Sequence, residues 1–314
     1  MGYSLICSAA ILFSLQFLFQ KEYKNKYGSG LKAGLNFQMY ASAIGAAVIF
    51  VVNLIVTKKM IGFSFFTAVT ALIYAIFTVA YAILSLKAME TANIAIFSML
   101  AMLGGMFVPF VYGIIVNREA IDYKKIIGLV LMVAALIFFA KPGTDKPAEL
   151  QSAENLNGNN GVRHKKSVGG ANRKTALYYF AVFLLNGSFG VISTFHQSPK
   201  FNLIAKSGYS LMVYAQLFAS LLSFALILVL KCGVEKLSLK IFGFTSLYAG
   251  FNGIGNLFTV LALLTLPASV QYPIITGGTI IVSSAIFMIT RKIFILKYAA
   301  AAAVSLAATV LFVI

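Results

Sequence analysis

Residues 113–131 read GIIVNREAIDYKKIIGLVL, an apolar run, a knot of charge from Arg118 to Lys125, and a second apolar run. From Met288 the chain reads MITRKIFILKYAAAAAV, the same order of features in degraded form. Charge confined to the gaps between apolar runs marks turns between buried segments, and composition says what buries them. The 314 residues are 60% hydrophobic and 11% charged, against about 25% charged in an ordinary soluble domain. A soluble globule of this length cannot hide so much apolar surface. The expected solvent is lipid, in which a helix needs ~20 apolar residues to cross ~30 Å of hydrocarbon.

Working outward from the quoted stretch, ten runs are long enough to be helices: Tyr3 to Gln20, Leu31 to Thr57, Gly62 to Leu86, Ala92 to Val116, Ile126 to Ala140, Thr175 to Thr194, Tyr209 to Leu230, Ile241 to Leu264, Ala268 to Ile289 and Ile293 to Ile314. The opening run has no basic segment before it and no small-residue cleavage site after it, so it reads as a spanning helix, not a secretory signal. Between the fifth and sixth runs, residues 141–174 are rich in Pro, Gly, Asn and charge and read as a flexible linker. The expected fold is an all-α integral membrane protein of ten transmembrane helices. It divides into a first five-helix unit (1–140), the linker (141–174) and a second five-helix unit (175–314). Five is odd, so related halves would lie in the membrane with opposite orientations, as inverted repeats.

An internal duplication predicts a constant offset. At 173 residues, Gly104 and Gly105 fall on Gly277 and Gly278, Arg118 on Arg291 and Lys124 on Lys297, while near the start of each half Ser14 falls on Ser188 at 174. MLGG and ITGG are each followed by eleven mostly apolar residues, then by NREAIDYKKIIGLVLMVAALIFF and TRKIFILKYAAAAAVSLAATVLF. The elbow and the helix opening in IIG resemble the ten-helix EamA-type branch of the drug/metabolite transporter superfamily. The second copy departs from the pattern, with Lys292 in place of the elbow acid Glu119 and Ala301 in place of Gly128. The resemblance implies a pseudo-twofold transporter. In it a small metabolite crosses by alternating access through a central cavity lined by helices 1, 3, 4, 6, 8 and 9.

Polar side chains inside spans must face other helices or a cavity. Those on the six helices are Gln16, Asn93, Ser98, Asn186, Ser188, Asn252, Asn256, Gln271, Tyr272 and Thr276, with Tyr74 and Tyr81 as an aromatic wall. Each amide has a competing role as a hydrogen bond between helices, and a serine can satisfy itself on the preceding turn. Gly104, Gly105, Gly277 and Gly278, close to Pro109 and Pro273, are hinge candidates, with close helix packing as the alternative. His196 is the one imidazole near a span and a candidate for pH sensitivity. No acidic residue falls mid-span, and Lys87 and Lys297 lie at run ends, so the expected substrate is an uncharged or zwitterionic metabolite.

Two histidines and no intramembrane carboxylate offer nothing for acid–base or metal chemistry, so no enzyme activity, cofactor or metal is expected. The net charge of +17 is spread over the breaks, which reads as membrane topology and not as a nucleic-acid surface. Cys7 and Cys232 have no spacing that suggests a disulfide framework or metal site. The expected partners are the lipid bilayer and a small-molecule substrate, and the expected location is the plasma (inner) membrane. A lipid or lipid-linked sugar flippase and a non-transporting sensor or scaffold are the alternatives. Breaks after the odd-numbered runs hold 18 of the 25 Lys and Arg, which places both termini outside. The resembling ten-helix transporters are usually drawn with both termini in the cytoplasm.

Overall fold

The computed structural model describes residues 2–28, 30–91, 94–140, 173–201, 207–291 and 296–313. The linker expected over 141–174 lies outside the described residues except at its last two positions. Those residues fold into ten α-helices: α1 Gly2–Tyr27, α2 Leu31–Thr57, α3 Phe65–Thr91, α4 Ile94–Ile115, α5 Tyr123–Ala140, α6 Arg173–Gln197, α7 Gly208–Val229, α8 Leu239–Ala262, α9 Ala268–Arg291 and α10 Leu296–Val313, with a 3-10 turn at Pro199–Phe201. Among the described residues there is no strand.

Five helices, α2, α3, α6, α7 and α9, contain stretches long and apolar enough to cross a membrane, and α1, α4 and α10 carry shorter apolar stretches. Their exposed surface is rich in Ile, Leu, Val and Phe, the pattern of a chain whose solvent is lipid. This is a multi-pass membrane protein. Several hydroxyls within the helices are satisfied locally: Thr70, Thr245, Thr259 and Thr279 each donate to the carbonyl four residues earlier, at 2.8–3.0 Å.

The helix ends are set by backbone chemistry. Lys58 closes α2 in the left-handed region (φ 54°), its N–H on the Leu54 carbonyl at 3.1 Å, and Lys231 beyond α7 has φ 50°. Pro267 precedes α9, and its carbonyl accepts from Val270 and Gln271 at 3.1 and 3.0 Å. Pro109 and Pro273 lie inside α4 and α9, neither of which is interrupted.

Apart from α9 and α10, helices adjacent in sequence are poor neighbours in space. The main pairings are α1 with α8, α4 with α6, α2 with α7 and α5 with α10; α3 packs on α6 and α7, and α9 on α1, α4 and α10. Small residues permit this. Gly45 approaches Ala249, Gly253 approaches Ile49, and a Cβ on Gly255 would sit 2.8 Å from the Phe13 ring. Two ends of the bundle can be told apart by contact. At the near face, Gly2 lies against Thr265 and Leu266, the α4–α5 elbow meets the start of α9, and Tyr214 reaches Gly62. At the far face the α7–α8 loop is strapped to α1 and α2. Tyr27 donates to the Lys236 carbonyl (3.1 Å), Tyr40 to the Glu235 carbonyl (2.8 Å) and Asn36 to the Gly233 carbonyl (3.2 Å), while the Glu235 N–H donates to Asn36 Oδ1 (2.8 Å). Tyr23, past the expected end of the first span, donates to Glu235 at 3.2 Å. Burial and then the neighbouring carboxylate push its phenol above its ordinary pKa, which keeps it a donor.

Candidate functional site

A chain of three carboxamides links α1 to α8. Asn252 Nδ2 donates to Gln16 Oε1 at 2.8 Å, and Asn256 Nδ2 donates to the Asn252 carbonyl and side-chain oxygen at 2.8 and 3.2 Å. Gln16 is buried, and the two asparagines are half-buried. The spacing of four residues stacks Asn252 and Asn256 on one face of α8. An aromatic group stands between α3 and α6, with Tyr74 and Tyr81 on opposite sides of Phe189 at ring separations of 5.0 and 5.7 Å. Tyr248 of α8 packs on Phe37 of α2 at 4.7 Å.

Other expected site residues are ties between helices. Asn186 Nδ2 donates to the Ala101 carbonyl of α4 at 2.6 Å, and Gln271 Nε2 to the Thr259 carbonyl of α8 at 2.7 Å. Tyr272 donates to the Gly190 carbonyl of α6 at 3.0 Å. Ser188 is satisfied on its own helix by Leu184 at 2.8 Å, and Thr276 is buried. Asn93 and the side chain of Ser98 lie outside the described residues.

The glycines expected as hinges occupy tight interhelical contacts. A Cβ on Gly104 would collide with the Phe183 carbonyl of α6, and one on Gly105 would lie 2.6 Å from Asn186 Nδ2. One on Gly278 would lie 2.8 Å from the Ala10 Cβ of α1, and one on Gly277 would press on Thr309, Met132 and Ser305. Their structural role is close helix approach, and α4 and α9 run unbroken through them. His196 is fully buried, stacked on Phe66 at 5.5 Å. Its Nε2 meets Thr67 Oγ1 at 3.0 Å and its Nδ1 meets Gln197 Nε2 at 3.2 Å. With the Gln197 amide donating to Nδ1, the matching tautomer carries its proton on Nε2, toward Thr67.

The elbow quoted at the outset is only partly solvated. Arg118 is exposed, as a headgroup-level charge would be. Glu119, the elbow acid, caps α9. Its Oε1 accepts the Ala268 N–H at 3.0 Å and its Oε2 the Ser269 N–H at 2.8 Å. Gly113 makes room, since a Cβ there would fall within 2.7–2.8 Å of the carboxylate. Lys125 donates to the Ala120 carbonyl (2.7 Å) and to Ser269 Oγ (3.3 Å). The negative group thus meets the unpaired N–H groups and positive dipole end of α9. Beside this junction is a pocket of about 420 Å³ whose walls include Asn117, Glu119, Thr194, Gln197, Lys200 and Leu266. Sequence reasoning singled out neither Gln197 nor Lys200. The local signal that was readable, an acid within a basic elbow, does not name its partner 149 residues away.

The fold and this polar, aromatic interior define the class: an all-helical, multi-pass membrane protein. No protein-family model matches the chain, and no curated protein does. One solved crystal structure, described only as that of a protein, superposes with a TM-score of 0.75 at 12% sequence identity. The match covers 99% of this chain and 95% of the other. At that identity the likeness speaks for the fold alone.

Proposed function

We propose that the protein is a secondary transporter of the EamA-type drug/metabolite class, built from two inverted five-helix repeats with ten spans, which moves a small uncharged or zwitterionic metabolite across the plasma membrane by alternating access. The observation that carries this reading is the Gln16–Asn252–Asn256 carboxamide chain. It joins the first five helices to the last five deep within long helices, one turn of α8 from Tyr248. Water is absent from the hydrocarbon core, so a polar assembly there binds the helices together or meets a solute.

The repeat reading is supported by reciprocity. Exchanging the two sets of five helices turns the α1–α8 pairing into α6–α3 and the α4–α6 pairing into α9–α1, and all four pairings occur. Tyr40 donates to the Glu235 carbonyl and Tyr214 to the Gly62 carbonyl at 2.8 and 3.2 Å, a bond and its counterpart at offsets of 174 and 173. Lys58 and Lys231, 173 apart, are both left-handed. Ser305 Oγ lies 3.6 Å from Met132 Sδ, and these two positions are also 173 apart. Contact between equivalent residues is what a twofold axis between α5 and α10 requires.

The test is metabolite profiling of cells with and without the protein, followed by flux of the leading compound into proteoliposomes with and without a pH gradient. Gln16→Leu and Asn256→Leu should lose flux while the protein still inserts. Unchanged metabolite pools together with no flux of any candidate would overturn the reading.

A further inference from the structure

We propose that the near-face pocket is a ligand site separate from the carboxamide chain, an entry vestibule for a small uncharged solute bearing hydroxyl or N–H donors. The proposal rests on the transporter reading for the word entry, and on the pocket itself for the ligand.

The volume of about 420 Å³ lies within the ~300–1,000 Å³ typical of small-molecule sites. Its walls come from both sets of five helices: Asn117 and Glu119 from the α4–α5 elbow, Thr194 and Gln197 from α6, Leu263 and Leu266 from the α8–α9 turn. The charges on these walls are already engaged. Each Glu119 oxygen holds one N–H of α9, and the exposed Lys200 ammonium reaches the Val116 carbonyl at 3.4 Å. With one acidic and one basic side chain on its walls, the pocket offers no net charge to favour an ion over a neutral ligand. Neutral groups remain for recognition. Gln197 is 7% exposed and spends its amide nitrogen on His196. Its carboxamide oxygen has no hydrogen-bond partner among the described residues and asks for a donor. The Asn117 carboxamide is likewise uncommitted among the described residues. Leu263, Leu266 and two prolines supply the apolar surface that a sugar or nucleoside ring requires.

The inner end of the pocket points the same way. Thr194 lies on its wall, and the Thr194 hydroxyl and the Tyr272 phenol both donate to the Gly190 carbonyl, at 2.8 and 3.0 Å. The Tyr272–Gly190 bond thus ties α9 to α6 beside this wall.

The test uses the full chain with Cys7→Ser and Cys232→Ser, carrying Thr265→Cys on the pocket wall or Leu264→Cys beside it, alkylated by N-ethylmaleimide. The probes are glucose with its charged analogues gluconate and glucosamine, and uridine with uridine monophosphate. Glucose or uridine should slow alkylation at position 265 about threefold at twice its dissociation constant, where about one third of sites are empty. The charged analogues should not slow it, and position 264 should be indifferent. Gln197→Leu should abolish the protection; Asn117→Ala, on the half-exposed rim, should weaken it without endangering folding. Equal protection by charged and neutral probes, protection at 264, or none by any probe overturns the proposal. If protection fails while proteoliposome flux is intact, the vestibule falls and the transporter reading stands. Protection without any flux leaves the ligand site and removes its role in entry.

Discussion

Replacing Gly104 with alanine sets two calculable effects against each other. Alanine is favoured over glycine in a helix interior by about 1 kcal/mol. At Gly104 the new methyl would coincide with the Phe183 carbonyl of α6, and backbone cannot rotate away as a side chain can. Overpacking of this kind costs ~1–3 kcal/mol, and a rigid neighbour places it at the upper end. The net loss is therefore about 2 kcal/mol. Gly250 of α8 has nothing within 4 Å of a built Cβ, so Gly250→Ala should gain the full helix preference of about 1 kcal/mol. Gly278→Ala, against the Ala10 methyl at 2.8 Å, and Gly105→Ala, against a movable amide at 2.6 Å, should fall between them in that order of severity. The assay is the temperature at which half of each detergent-solubilised variant leaves the monodisperse peak in size-exclusion chromatography. Gly104→Ala melting at or above Gly250→Ala would refute the packing argument. A Gly104→Ala protein of normal stability but slowed flux would instead favour the hinge role for this glycine.

Glu119→Ala removes both acceptors from the start of α9 and should cost ~1–2 kcal/mol, the usual loss for an N-terminal cap, whereas Glu119→Gln keeps one acceptor and should lose about half as much; hydrogen exchange at Ala268 and Ser269 reads the effect directly. Tyr40→Phe and Tyr214→Phe each delete one bond to a loop carbonyl and should each cost about 1 kcal/mol, adding in the double variant because the bonds lie at opposite faces; thermal melts of the three variants check this. Asn186→Ala should lower stability by about 1 kcal/mol and leave flux nearly unchanged, since its amide serves the Ala101 carbonyl, while Asn256→Leu should do the reverse; paired melting and flux measurements separate the two roles. A tag at Met1 should be reached by an impermeant reagent from outside intact cells, as the distribution of Lys and Arg requires.

The helices were legible because lipid imposes a length and a polarity that composition alone can reveal. The run Leu31 to Thr57 coincides with α2, and the others agree to within a few residues. The largest difference is at α1, which continues to Tyr27 beyond the expected Gln20 because its last turns pack on the α7–α8 loop through Tyr23 and Tyr27. Such contacts join residues more than 200 apart and leave no periodic trace. The same limit explains Glu119, whose charge was visible but whose partner was not. It also explains Gln197 and His196, which gain meaning only when α3 and the α8–α9 turn arrive. The offset of 173 was readable at paired glycines and basic residues. At Lys58 and Lys231, and at Tyr40 and Tyr214, it was equally present but carried by backbone conformation and loop bonds, which residue identity expresses weakly.

The pairing order has a consequence for how this chain is made. α1 packs chiefly on α8, and α4 on α6, while sequence neighbours such as α1 and α2 or α3 and α4 barely touch. During synthesis the first helices therefore enter the membrane long before their partners exist. They must wait there as separate helices, with Gln16 holding no Asn252 and Glu119 no α9. Late-arriving α8 and α9 then convert a loose set of helices into one bundle. A defect near the C-terminus should consequently expose the N-terminal half to membrane quality control, although nothing in that half has changed.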